Sequence, residues 1–164
     1  MQRKITDPIL KQATAQVEAK VPPGLREDYD AVKTAGMELM FSESTNRHLQ
    51  EALGDGANLE KTVPDLMAGG MMLLYNESNR AMSIDAAMLA IVPLMCRVLE
   101  YAEQALDAEI TPEIVAKITL ESYRAVAKRF GLDKQGETGA PQPAPQAPQQ
   151  AAGGLLGAQP MQGA

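Results

Sequence analysis

The sequence predicts an all-α fold: a bundle of about five helices with short loops, followed by a disordered C-terminal tail rich in Pro, Gln, Ala and Gly. Apolar residues recur at helical spacing along the first part of the chain, and no strand-like alternation competes with them. Aromatic residues make up only 4% of the 164 residues. Because the composition changes sharply near residue 134, we predict a helical domain over residues 1–133 and a low-complexity flexible tail over residues 134–164.

The first two predicted helices are delimited by proline and glycine. Asp7 suits an N-cap and Pro8 the first helical position, and the helix is expected to stop before Pro22. A single long second helix is predicted from about Leu25 to the Gly-Asp-Gly sequence at 54–56. Its apolar face comprises Leu25, Tyr29, Val32, Gly36, Leu39, Leu49 and Leu53.

Three further helices follow, each with a hydroxyl residue as its predicted N-cap. Thr62 is expected to start the third, which should end within the polar residues 76–80. Ser83 is expected to cap the fourth, which should reach about Leu106. The fifth should begin after Thr111 and stop at Gly131. These signals complete the predicted bundle.

Charge and cysteine content exclude several classes of protein. The net charge is −6, with 21 acidic and 15 basic residues, and the bases are scattered, so we predict no nucleic-acid patch. The single cysteine, Cys96, lies in an apolar run and is interpreted as a structural thiol. No apolar block follows the first basic residues, so we expect no signal peptide and synthesis in the cytoplasm.

The sequence lacks the common catalytic and metal-binding patterns. One His and one Cys are too few for a zinc site, and no nucleotide-binding or serine-nucleophile motif occurs. His48 is interpreted as part of a solvated helix face, with Glu43 and Arg47 as an ion pair. We therefore predict no cofactor, no metal, no small-molecule substrate and no enzymatic activity.

Residues 65–96 carry six of the ten methionines and contain two charge-free blocks, residues 66–76 and 86–96, joined by a polar hinge. Each block is eleven residues long, whereas a membrane span needs about 20. Small residues allow close helix packing, and methionine adapts to varied surfaces. The candidate interaction residues are Met67, Gly69, Gly70, Met71, Met72, Met88 and Pro93, together with Leu155 and Leu156 of the tail.

The sequence does not determine what these apolar faces pack against. They fit the centre of the bundle, a subunit interface, or a membrane after a conformational change, of which the membrane is the least favoured. Pro93 predicts a kink that either fits the core or acts as a hinge. Leu155–Leu156 is the only large apolar pair of the tail, which is either an ordinary flexible segment or a short docking motif.

Four segments carry a resemblance to a known group of proteins. They are "TVPDLMAGGMMLLYNESN", "SIDAAMLAIVPLMCRVLEYAEQ", "TPEIVAKITLESYRAVAKRFG" and the tail ending "GGLLGAQPMQGA". In this layout, over roughly residues 60–164, the chain resembles the small helical virion proteins of tailed bacteriophages, some of which are internal or ejected with the DNA. The resemblance implies an oligomeric structural role in the virion, with no active site.

The sequence thus predicts a non-enzymatic, all-α structural or assembly protein that binds protein partners, chiefly other copies of itself. An alternative from another class is a soluble helical adaptor or chaperone-like module that binds a client through the Met-rich hairpin, residues 65–96. These two hypotheses differ in whether the purified chain forms a defined multimer.

Overall fold

A computed structural model of the protein describes residues 5–135 and confirms the all-α prediction. The described chain forms six α-helices: α1 Pro8–Glu18, α2 Arg26–Phe41, α3 Glu43–Leu53, α4 Leu59–Glu77, α5 Ile84–Leu106 and α6 Pro112–Arg129. Short 3₁₀ turns lie at Pro23–Leu25 and Asp133–Gln135. The predicted tail, including Leu155 and Leu156, lies outside the described residues.

Helix α5 is the centre of the bundle. It contacts α1, α2, α4 and α6, and most of its side chains from Ala86 to Ala102 are buried. The helix continues through Pro93 to Leu106, the end that its sequence predicts. Its apolar character all round therefore has a structural cause, because four other helices cover it.

Two helix pairs run in the same direction. Gly36 of α2 lies against Leu94 of α5, and further along both helices the Phe41 and Tyr101 rings meet edge to face at 6.5 Å. In α4 and α6, Glu60 pairs with Lys117 at one end. Tyr75 and Phe130 pack edge to face at 5.2 Å at the other end. Because α4 and α6 are parallel neighbours, α5, which connects them in the chain, runs in the opposite direction.

The predicted second helix is wrong in one respect, since the structure divides it into α2 and α3 at Ser42. That residue is extended, with φ −68° and ψ 154°. The Thr45 hydroxyl donates to the Leu39 carbonyl, and the Asn46 N–H bonds the Ser42 carbonyl at 2.8 Å. A hydroxyl side chain that bonds nearby backbone groups offers an alternative to helix continuation, and the Thr45 hydroxyl makes such a bond at the break.

The predicted start of α4 is also wrong, because the helix begins at Leu59 and Asn58 takes the N-cap position instead of Thr62. Pro64 consequently lies inside the helix. Leu59 and Val63 are buried on the face that continues the core, and this packing outweighs the backbone donor that Pro64 lacks. A proline signals the first helical turn only where packing does not extend the helix upstream of it.

Candidate interaction site

An apolar groove lies between α2, α3 and α4, with α5 at its base. We use this name for the depression lined by Leu39, Met40, Leu49, Leu66, Leu73 and Val98, together with Gly69, Gly70, Thr45 and His48. Its volume is about 180 Å³. Val98 forms the base, because it is fully buried on the central helix.

The groove is a product of the α2–α3 break and of the paired glycines of α4. The turn at Ser42 redirects the chain, so that α3 forms a wall separate from α2. At Gly69, no heavy atom of the described chain lies within 4 Å of the place a Cβ would take. At Gly70, the Met40 methyl carbon is 3.3 Å from that place. The missing side chain therefore leaves open space at Gly69, whereas at Gly70 it makes room for the Met40 side chain of α2.

The described lining of the groove contains no Asp, Glu, Lys or Arg. Its polar members are Thr45, whose hydroxyl is bonded to the Leu39 carbonyl, and His48, whose side chain is 79% exposed. Burying a charged or polar group against such walls would cost free energy, because the lining offers no charged side chain to pair with it. The groove therefore suits an aliphatic side chain.

Leu73 leaves an apolar side chain exposed at the groove. Within residues 5–135, Leu73 and Leu120 are the large apolar residues that remain exposed, at 45% and 50%. Leu73 lies in the groove wall, whereas Leu120 lies on α6 and does not line it. Leu73 thus adds apolar surface to a concave site, and Leu120 is an isolated exposed leucine of the kind found on most proteins.

The residues predicted as an interaction set divide into three groups. Met67, Met71 and Pro93 are buried in the core, and Met72 and Met88 are half-buried. Gly69 and Gly70 are the members that the structure brings together, in the groove wall. Leu155 and Leu156 lie outside the described residues.

Leu66 and Leu73 line the groove but are absent from the predicted interaction set, although the sequence holds a signal for them. Leu66, Gly69, Gly70 and Leu73 recur at three- and four-residue spacing, so they share one face of α4. The predicted set pairs the two glycines with Met67 and Met71, which lie on the buried face of the same helix. Leu39 and Leu49 could not be joined to this face without knowing the break at Ser42.

The structure defines the surroundings of two titratable residues, Cys96 and Arg47. Cys96 is fully buried, and burial raises the pKa of its thiol to about 11, so the thiol stays protonated at neutral pH. The predicted pairing of Arg47 with Glu43 is wrong: Arg47 lies 2.9 Å from Glu51 on the other side, and both side chains are exposed. Because both of its side chains are exposed, the Arg47–Glu51 pair contributes little to stability.

Among residues 5–135, no group of three or more His, Cys, Asp or Glu side chains is placed to hold a metal ion. None of the helices described there has both the length and the hydropathy to cross a bilayer. Comparisons with protein-family models, with curated proteins and with solved structures gave no match.

Proposed function

We propose that the protein is a non-enzymatic assembly protein that self-associates or docks on a larger structure through the apolar groove. The observation that carries this proposal is the uncharged groove of about 180 Å³ with Leu73 45% exposed in its wall. The resemblance to small virion proteins of tailed bacteriophages supports placing this role in a virion, as an internal, ejected or head–tail component. Protein partners, chiefly further copies of the chain, are the ligands in this proposal.

The energetics require the groove to be one part of a larger contact. Burying one leucine side chain contributes roughly 1.5–3 kcal/mol. A stable interface buries on the order of 1,200–2,000 Å² in total and must offset the loss of translational and rotational freedom. The groove accordingly supplies the apolar centre of the interface, and the exposed polar faces of α3 and α4 supply its rim.

The test compares two exposed leucines that differ in whether they line the groove. Leu73→Glu places a carboxylate in the groove and should shift the multimer seen by light scattering to monomer, without changing the helical circular dichroism. Leu120→Glu makes the same chemical change at 50% exposure on α6 and should leave the multimer intact. A wild-type chain that stays monomeric at high concentration would contradict self-association.

A second candidate function is a helical adaptor or chaperone-like module. The size of the groove favours it, because about 180 Å³ accommodates one or two aliphatic side chains from an inserted client segment. The adaptor would remain monomeric and lose client capture on Leu73→Glu. Membrane contact after a conformational change is a weaker hypothesis, which liposome leakage at neutral and acidic pH tests.

A further inference from the structure

We infer that the apolar groove is covered by the Leu155–Leu156 segment of the same chain, which thereby regulates self-association. The regulatory part of this inference rests on the proposed function, whereas the docking of the segment does not. Three observations support it: the chemistry of the groove, the place where the described chain ends, and the length of chain between that place and the leucine pair.

The leucine pair matches the groove in chemistry and size. From Thr138 onward the chain has no charged residue, and Leu155–Leu156 is its only pair of large apolar residues. The groove has no charged residue in its described lining, and its volume of about 180 Å³ fits one or two aliphatic side chains. Small-molecule sites usually have about 300 Å³ or more, so the groove is better suited to a side chain than to a cofactor.

The described chain ends near the groove. Because α4 and α6 are parallel and the Tyr75 and Phe130 rings are 5.2 Å apart, Gln135 lies at the end of the bundle where α4 ends. The groove wall begins at Leu73, about one turn from that end, and extends back to Leu66, about 10 Å along the helix axis. The path from the end of α6 to the groove therefore passes around α4, whose diameter is ~10–12 Å.

The connecting segment has a suitable length. Residues 136–154 lie between the described chain and the leucine pair. A flexible chain of this length has a root-mean-square span of about 25 Å, and a polyproline-like one reaches about 60 Å. A linker whose average span matches the distance gives an effective concentration in the mM range. The chain's own tail therefore outcompetes the tails of neighbouring chains in dilute solution.

A tryptophan reporter tests the docking in the full-length protein. The natural sequence has no Trp, so Leu156→Trp introduces a single fluorophore. At low concentration its emission should be blue-shifted and protected from acrylamide quenching. Adding Leu73→Glu should restore a solvent-exposed spectrum, whereas adding Leu120→Glu should not. An exposed Trp in the Leu156→Trp protein, or a blue shift that appears only as concentration rises, would overturn docking in the same chain.

A disulfide trap tests the same docking without introducing a bulky side chain. Leu73→Cys combined with Leu156→Cys should form an intramolecular disulfide under oxidised glutathione, seen by mass after trypsin digestion. Leu120→Cys with Leu156→Cys is the matched control, in which glutathione should cap the accessible thiols and the cross-link should form much more slowly. The natural Cys96 does not compete, because its thiol is buried. Equal cross-linking of the two pairs would contradict the inference.

The regulatory part has its own readout. Replacing Leu155 and Leu156 by Ser in the full chain should lower the midpoint concentration of assembly about tenfold, the ratio expected for losing one buried leucine. If the tail reporter is exposed while assembly still depends on Leu73, the inference fails and the proposed function stands. If the reporter is docked and the serine variant never assembles, self-association and the regulatory role fail together.

Discussion

At the scale of the residue, the two helical glycines Gly36 and Gly69 occupy opposite kinds of space. A Cβ at Gly36 would lie 2.5 Å and 2.9 Å from the two terminal carbons of Leu94, which is itself fully buried. A Cβ at Gly69 would have no heavy atom of residues 5–135 within 4 Å. The first glycine allows two helices to approach, and the second leaves the groove open.

Substitution by alanine should therefore change the stability in opposite directions at these two positions. Overpacking a core costs ~1–3 kcal/mol, and a glycine replaced by alanine in a helix recovers ~1 kcal/mol. We expect Gly36→Ala to lower the free energy of unfolding by about 1–2 kcal/mol and Gly69→Ala to raise it by up to about 1 kcal/mol, measured by urea denaturation. Equal stabilisation by both variants would mean that Leu94 moves aside freely.

Tyr29 makes the protein sensitive to alkaline pH. Its side chain is fully buried, its hydroxyl has no hydrogen-bond partner in the described part of the chain, and the Lys33 ammonium lies 5.0 Å from the ring centre. Burial, and secondarily the charge of Glu18, raises the pKa of Tyr29 from 10.0 to about 12. The phenol therefore keeps its proton in the folded protein at pH values where the unfolded chain loses it.

The resulting stability is complete below pH 10 and is lost as the pH rises toward 12. Tyr29→Phe should be as stable as the natural protein at pH 7, or slightly more stable, because it removes an unpaired buried hydroxyl. Near pH 11 the variant should be more stable by about 1 kcal/mol, since it has no proton to lose. Denaturation at the two pH values measures this difference, and a difference that does not change with pH would contradict the assignment.

At the scale of the element, three helix starts are fixed by side-chain caps. Asp7 accepts the Leu10 N–H at 2.9 Å, and Ser83 and Thr111 accept the Ala86 and Ile114 N–H groups, each at 3.3 Å. Ser42 stands at the N-cap position of α3 but accepts no backbone N–H there within the described structure. Ser42 and Ser83 thus both stand at an N-cap position, but only Ser83 accepts a backbone N–H in the described structure.

The cap difference predicts unequal losses for the same substitution. Ser83→Ala should lower the free energy of unfolding by about 1 kcal/mol, the usual cost of losing an N-cap. Ser42→Ala should cost less than half of that, because only its hydroxyl contacts with Ser44 and Thr45 are lost. Thermal denaturation followed by circular dichroism provides the comparison; a larger loss at Ser42 would show that the α2–α3 break depends on its hydroxyl.

These elements show how far local sequence signals reach. Starts with a capping side chain, at Asp7, Ser83 and Thr111, were predictable because the hydrogen bond joins residues three apart. The start of α4 and the break at Ser42 were not, because long-range packing of Leu59 and competing hydroxyl bonds decide them. The groove needed that break to assemble residues from three helices, so the sequence predicted its two glycines but not its shape.

At the scale of the whole molecule, Glu100 joins the N-terminal segment to the central helix. Its carboxylate, 5% exposed, accepts the Thr6 N–H at 2.6 Å and the Thr6 hydroxyl at 3.1 Å, and it pairs with Arg97 at 3.0 Å. The buried charge is therefore fully paired. Contacts between residues so far apart in sequence hold α1 against α5.

Removal of this carboxylate should be costly. Glu100→Ala leaves Arg97 and the Thr6 N–H without their partner, and we expect the free energy of unfolding to fall by about 2–4 kcal/mol. Glu121→Ala removes a carboxylate that pairs with Arg124 at 2.8 Å on the exposed surface and should cost under about 1 kcal/mol. Urea denaturation of both variants tests the contrast. Similar losses would mean that the buried cluster contributes no more than a surface pair.

The parallel arrangement of α4 and α6 has a consequence for folding during synthesis. Neither helix can meet the other until α5 has crossed the bundle and α6 has been made, and ribosomes add only ~5–20 residues per second. For several seconds α4 therefore lacks its parallel neighbour, although its Met67 and Met71 side chains are buried in the folded protein. Nascent chains stalled just before Pro112 should be strong clients of holding chaperones, and chains stalled beyond the tail should have been released.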